Sequence, residues 1–137
     1  VQTPCGCPGG NPQVNEVLYA ALAAQMADAL IYADREGRIR VWNAAAENLF
    51  GFTAEAALDQ SLELIIPEHL RPAHWAGYHR ALQAGRTRGA GRPTLTKALT
   101  ASGETIYVEM TFAVISDSEG RPLGSVAVAR PARKPGT

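Results

Sequence analysis

Cysteine is scarce in this chain of 137 residues: only Cys5 and Cys7 occur, one residue apart in "TPCGCPGGNP". A Cys-x-Cys pair falls short of the four ligands of a closed zinc site and lacks the two-residue spacer of common metal and redox motifs. The surrounding Gly and Pro favour a flexible leader over residues 1–12; a metal or redox role for the pair is the competing reading. Net charge is missing too. Thirteen Lys and Arg balance thirteen Asp and Glu, so no field steers the chain toward nucleic acid or an anionic membrane. No apolar run approaches the ~20 residues that span a bilayer. No basic stretch leads into an apolar one as in a secretory signal, and the expectation is a cytoplasmic protein. No Ser/His/Asp set, glycine-rich phosphate loop or acid pair stands out. No catalytic residue is therefore assigned, and a binding domain is expected rather than an enzyme.

What is present reads as one domain, large enough to bury roughly two thirds of its unfolded surface and to enclose a ligand. In residues 13–28, Val14, Leu18, Leu22 and Met26 recur every fourth position with alanine between. That predicts a helix with an apolar stripe free to dock on the body or on a second copy. "ALIYADREGRIRVW" predicts a hairpin, with strands over Leu30–Ala33 and Ile39–Trp42 and a turn over Asp34–Gly37. Asn43 is a helix N-cap for "AAAENLF" and Gly51 its stop; Thr53 caps "AEAALD". "SLELII" is a third short segment ending at Pro67. Residues 68–84 form the best helix of the middle region, stopped by Gly85, and residues 86–93 are a Gly/Arg-rich loop. Further on, Ile106, Val108, Met110, Phe112 and Val114 alternate onto one strand face, with Tyr107, Glu109, Thr111 and Ala113 on the other. "SDSEGRP" is a turn. "LGSVAVAR" closes the sheet with Val126 and Val128 on one face, and residues 131–137 are a tail or linker. The order of elements predicts an α+β fold, an antiparallel sheet with helices on one face.

The three histidines, His69, His74 and His79, all lie within "HLRPAHWAGYHR", spaced five apart. On a helix each such step turns about 140°, so the three cannot converge on one ion. With Leu70 at zero, His74 falls at roughly 40°, among Gly77, Ala81 and Tyr78, whereas His79 and His69 fall near 180° and 260° with Arg80 and Gln83. His74 is therefore predicted to point into the apolar face and the other two toward solvent. A lone inward imidazole is either a core histidine with a satisfied hydrogen bond or a ligand to a cofactor metal. Gly77 costs about 1 kcal/mol in a helix interior, so it marks a close approach. With Ala73 and Ala81 it forms a small-residue floor that suits a flat macrocycle or tight helix–sheet packing.

Residues 28–130 resemble a PAS domain. The resemblance is carried by the run D-x-x-G-x-I-x-x-W-N-x-A-A-E-x-L-F-G-F, Asp34 to Phe52, followed by the longer helix and "TASGETIYVEMTFAVISDSEGRPLGSVAVAR". It implies a five-stranded antiparallel sheet with helices over one face and a pocket between them. The chain then divides into a leader (1–12), a flanking helix (13–28), a PAS sensor domain (29–130) and a tail (131–137). "PEHLRPAHWAGYHRAL" resembles the longer helix of the haem-binding subgroup, the oxygen-sensing FixL-type kinases and the carbon-monoxide-sensing RcoM-type transcription factors. There, R-x-x-H or R-x-H precedes a Gly/Ser-Tyr/Phe pair and the histidine ligates haem iron. Here that histidine is His74, and Trp75 to Tyr78 look closer to the RcoM type.

The resemblance implies haem b held by His74, ordinary single-imidazole ligation. It implies a pocket lined by Leu70, Trp75, Gly77, Tyr78, Ala81, Leu95, Leu99, Met110, Phe112, Val126 and Val128. The position matching the second axial methionine of RcoM-type domains is Leu99, a departure from that pattern. Met110, on the inward face, offers a thioether to the iron or fills the core. Arg92 takes the place of the gas-responsive arginine of FixL-type domains, or is a solvated loop arginine. The implied function is a haem sensor of a diatomic gas (CO or O2) or of redox state, signalling to a partner or output domain and self-associating as a homodimer through Leu18, Leu22 and Met26. The alternative is a haem-free PAS dimerisation or interaction module, or a small-ligand sensor. Haem would also permit redox chemistry. A flavin photosensor would need a cysteine in the helical region, which this sequence lacks.

Overall fold

A computed structural model describes residues 12–87 and 91–135, so both cysteines and all of the expected leader but Pro12, which opens the first helix, lie outside the described residues. Helix α1 (Pro12–Gln25) is followed by the hairpin strands β1 (Ala29–Asp34) and β2 (Ile39–Trp42). Two short helices come next, α2 (Ala44–Phe50) and α3 (Ala54–Ala57), then two 3-10 turns at Leu62–Ile65 and Glu68–Leu70. Helix α4 (Arg71–Ala84) leads to β3 (Thr94–Leu99), β4 (Thr105–Ser116) and β5 (Pro122–Pro131). The strands form one antiparallel sheet in the order β2-β1-β5-β4-β3. The α+β expectation holds.

Local chemistry explains the elements. The Asp34 carboxylate accepts from the amides of Glu36 and Arg38, both at 3.0 Å. The Gly37 amide donates to the Asp34 carbonyl, and Gly37 takes the positive φ of +81° that this tight turn requires. Asn43 caps α2 as its sequence position predicts: its side-chain oxygen accepts from Ala46 N at 3.0 Å. Gly51 ends the same helix in the left-handed region. Trp42, Ala46, Phe50, Ile31, Ile39 and Val108 anchor the core between these helices and the sheet.

Two helices differ from expectation at their ends. The first stops at Gln25 rather than residue 28, and the Asn43 side-chain amide takes the carbonyls of Ala23 and Asp28 at 2.8 and 3.2 Å. Those carbonyls need partners at a helix end, and a side chain supplies them. The second begins at Arg71 rather than 68, because the preceding turn is 3-10 and Pro72 sits in the first turn, where its missing N–H costs nothing. The sheet reaches Pro131, one residue into the expected tail. No helix among the described residues is long and apolar enough to cross a membrane.

Candidate functional site

The sheet face beneath α4 is built from small residues along its centre. Register pairs Ala29 with Ala129, Ile31 with Ala127 and Ala33 with Ser125. It also pairs Met110 with Ala129 and Phe112 with Ala127. Cross-strand partners share a face, so the centre of β5 presents Ser125, Ala127 and Ala129 to the helices. Small side chains at these positions leave space that larger ones would fill. A cavity of about 330 Å³ results, walled by Ile31, Ile65, Ile66, Leu70, Met110 and Phe112 and roofed by Ala73, His74 and Tyr78 of α4. A second lobe of about 280 Å³ shares Ala73, His74, Tyr78, Phe112 and Ser125 with the first. It continues toward Gly77, Ala81, Thr87, Arg92 and Thr94.

His74 stands where the two lobes meet. Its Nδ1 is buried with no hydrogen-bond partner, which departs from the satisfied core histidine that buried polar groups usually provide. Burial holds the imidazole below its ordinary pKa; the nearby Glu63 carboxylate pulls the other way, and His79 adds to the lowering. The ring is therefore neutral at pH 7, with a lone pair to offer. Two aromatic rings flank it. Trp75 meets it edge-on at 4.6 Å between centroids, and Tyr78 lies tilted at 5.7 Å. The Tyr78 hydroxyl donates to the carbonyls of Asp34 at 2.5 Å and Ala33 at 3.1 Å. Burial pushes that phenol far above its usual range, with the Asp34 charge adding to the effect.

His69 and His79 are exposed. Among the described residues no three His, Cys, Asp or Glu side chains gather as a metal-ion site. The buried face of α4 is centred on Tyr78 and Leu82, not on Leu70, so His74 sits at the cavity edge of that face rather than its middle. Leu70 lines the inner lobe from the preceding turn, Tyr78 lines both lobes, and Met110 and Phe112 line the sheet wall. Met110 is only 7% exposed. Gly77 and Ala81 line the outer lobe. A Cβ placed on Gly77 would meet nothing nearer than Arg80 Nη2 at 3.9 Å. Tight helix–sheet packing is therefore not the reason for this glycine; its free side faces the lobe. Arg92 is exposed and reaches the outer lobe.

Five expected lining residues fall elsewhere. Val126 and Val128 pair with Ala113 and Thr111 on the opposite face of the sheet; both faces of β5 are apolar, so apolarity alone favours the larger side chains and picks the wrong face. Leu95 and Leu99 alternate with Thr94, Thr96 and Ala98 and take that outer face too, Leu95 being 45% exposed. Trp75 packs on Gly37, where a Cβ would lie 2.3 Å from its ring, and its indole N–H donates to Glu63 at 2.7 Å. It stands behind His74, outside both lobes. The residues missed include Ile31, Ala33, Ile65, Ile66, Ser125 and Ala127. The alternation Ala29, Ile31, Ala33 is a signal for the strand-β1 members of that set. The small size of Ser125 and Ala127 marks vacant volume only once register is known.

The site is thus an apolar cavity enclosed between a five-stranded antiparallel sheet and one long helix. The PAS fold family model matches residues 18–132, and the chain belongs to the PAS family. It is similar to an uncharacterized protein of Azorhizobium caulinodans, 35% identical over 99 residues that cover 72% of this chain and 14% of that protein. It is also similar to the oxygen sensor protein DosP of Escherichia coli K12, 25% identical over 105 residues that cover 77% of this chain and 13% of DosP. Among solved structures, the PAS domain of a protein from Colwellia psychrerythraea matches with a TM-score of 0.74 at 18% identity, covering 86% of this chain and 97% of that one. The chain thus spans about one seventh of the length of these curated relatives.

Proposed function

We propose that this PAS domain senses a diatomic gas or redox state through a haem whose iron is ligated by His74. The observation that carries the reading is the neutral imidazole with a buried, unpartnered Nδ1 at the junction of an apolar, two-lobed cavity. One imidazole without other ligating side chains suits a group that brings its own donors. The residues fit such a group in three respects. The two lobes together fall in the ~300–1,000 Å³ range of small-molecule and cofactor sites. The walls are Ile, Leu, Met and Phe, and Gly77 leaves the roof open beside His74. Haem, if bound, would supply iron chemistry responsive to a diatomic gas or to redox state. His74 contributes the lone pair, Met110 offers a thioether or an apolar wall, and the side chains of Ile65, Ile66 and Phe112 exclude water. Arg92 adds a cation at the rim of the outer lobe.

Purified protein expressed with haem precursor should absorb strongly at the blue edge of the visible. His74→Ala should abolish that band while His69→Ala and His79→Ala keep it. A colourless wild-type protein sinks the haem reading and leaves a cavity for a small apolar ligand. Met110→Leu should alter the reduced spectrum if the thioether binds iron and leave it unchanged if Met110 only packs.

A separate observation supports an interaction role. On α1 and the segment after it, Val17, Leu18, Tyr19, Leu22 and Met26 are all exposed, Val17 by 70%. We infer that this stripe joins two copies of the chain. Leu22→Glu should convert a dimer to a monomer in analytical ultracentrifugation; a monomeric wild-type protein at high concentration ends the idea.

A further inference from the structure

We infer that Trp75 is a positioning residue for His74: an indole locked between the β1–β2 turn and Glu63 sets the orientation of the imidazole. This rests on the reading of His74 as an iron ligand. A metal-ligating histidine almost always donates its second ring N–H to a carboxylate, carbonyl or water, which fixes its rotation and tautomer. Among the described residues, neither ring nitrogen of His74 makes such a bond, the buried Nδ1 included. Its ring contacts are aromatic instead, Trp75 at 4.6 Å and 72° and Tyr78 at 5.7 Å and 30°.

Both contacting rings are themselves fixed, and the fixtures converge on one place. Tyr78 donates to the carbonyls of Ala33 and Asp34 at the end of β1. Trp75 lies on Gly37 in the adjoining turn, so close that a Cβ there would stand 2.3 Å from Cη2 and 2.4 Å from Cζ3. Its Nε1 donates to Glu63 Oε2 at 2.7 Å. Glu63 is in turn held in the 3-10 turn, where its carbonyl accepts from Arg71 Nη2 at 3.2 Å and its amide donates to Ser61 Oγ at 3.1 Å. The Leu62 amide donates to the Gly37 carbonyl at 2.9 Å, tying that turn to the same hairpin. The indole therefore has little freedom to rotate, and the imidazole edge resting on it inherits the constraint. Gly37 is required at its position twice over, by its φ of +81° and by the ring above it. A shell of ring contacts replaces the usual hydrogen bond to the ligand histidine.

Trp75→Phe keeps an aromatic edge near His74 but removes the indole N–H and the ring that reaches Gly37. Glu63→Leu removes the acceptor. Glu63→Gln keeps an acceptor and discards the charge. Trp75→Phe and Glu63→Leu should each weaken haem affinity about tenfold, the usual cost of disturbing such a support, and shift the absorption band; Glu63→Gln should retain wild-type affinity and spectrum. In the cofactor-free proteins at pH 8, the ring resonances of His74 should report one ordered ring orientation in wild type and Glu63→Gln. They should broaden or average in Trp75→Phe and Glu63→Leu as the ring gains rotational freedom. The inference stands when affinity and resonances move together. Unchanged resonances in Trp75→Phe and Glu63→Leu overturn it, whatever the affinity does, and so does unchanged affinity with altered resonances. Should wild-type protein bind no haem, the reading of His74 as an iron ligand fails, and the resonances alone decide whether Trp75 orients the ring.

Discussion

Helices α2 and α4 face the same sheet and are built on opposite terms. The N-cap of α2, Asn43, is 5% exposed, and its side chain uses every hydrogen-bonding capacity it has. The oxygen accepts from Leu30 N and Ala46 N, and the amide donates to Ala23 O and Asp28 O. One residue thereby joins α1, β1 and α2, and Ala46 and Phe50 beneath it are wholly buried. Helix α4 has no side-chain cap and buries only Tyr78 and Leu82. Its Tyr78 hydroxyl is bonded to the end of β1, but the His74 imidazole is left unpartnered at Nδ1 over a cavity. A buried polar group with all its bonds made serves architecture, whereas one held in place without a bond is available for something that arrives later.

Removing each of these polar groups should break the symmetry between them most sharply. Asn43→Ala strips a helix cap worth about 1 kcal/mol and leaves the Leu30 amide and two carbonyls short of partners, each costing about 1–3 kcal/mol where buried. Because water reaches some of them, a loss of about 3 kcal/mol in urea denaturation is expected. His74→Leu removes an unsatisfied group and adds apolar contact, so its effect should stay within about 1 kcal/mol of zero. Equal losses for the two substitutions would show that the contrast between the helices is only apparent.

Two glycines sharpen the same comparison by a smaller margin. A Cβ on Gly124 of β5 would lie 2.0 Å from the Ala33 carbonyl and 2.7 Å from the Tyr32 hydroxyl. Gly124→Ala must push strands apart and should cost about 2–3 kcal/mol, the upper part of the overpacking range. Gly77→Ala meets open space and should stabilise the protein by up to about 1 kcal/mol through helix propensity. The added methyl intrudes on the outer lobe, so the same variant should hold ligand more weakly. Melting curves read the first effect and haem titration the second; a Gly77→Ala protein that is more stable and binds as well as wild type would mean the outer lobe is not used.

The contrast also explains what was legible in the sequence. Asn43, Gly51, Thr53 and the Asp34–Gly37 turn act through local chemistry, on neighbours within a few residues, and each stands where residue type and spacing put it. The inward turn of His74 and outward turn of His79 follow from helical periodicity, whereas His69 is exposed in the 3-10 turn before the helix. The cavity is different, because it is a property of pairing. That Ser125 and Ala127 face Ile31, Ala33 and Phe112 depends on a register between strands more than ninety residues apart in the case of β1 and β5. Residue type pointed to Val126 and Val128, since a valine is a better core residue than a serine. A ligand pocket inverts that rule: its floor is where the large side chains are absent. Trp75 misled for a related reason, as its large ring packs on a glycine in a distant turn that no periodicity within α4 reveals.

The smallest effect bears on the same imidazole. Burial lowers the His74 pKa in the folded chain below the ~6.5 of an unfolded one. Between those two values the unfolded state binds more protons than the folded state, so stability rises with pH across that window and levels off above about 6.5. As pH falls from 7.5 to 5.5, cofactor-free wild-type protein should therefore lose stability relative to His74→Leu. The difference should be a few tenths of a kcal/mol to about 1 kcal/mol, since a half-buried group is partly screened by solvent. The Asp34 carboxyl does not confuse the comparison. Burial works to raise it, but the amides of Arg38 and Glu36 and the Arg40 guanidinium outweigh burial and hold it below its ordinary value. Its contribution is present above that value and is lost only at more acid pH. Parallel Tm profiles for the two proteins between pH 7.5 and 5.5 would mean that the His74 ring stays in water, and the distinction between a satisfied α2 and an expectant α4 would lose its clearest chemical signature.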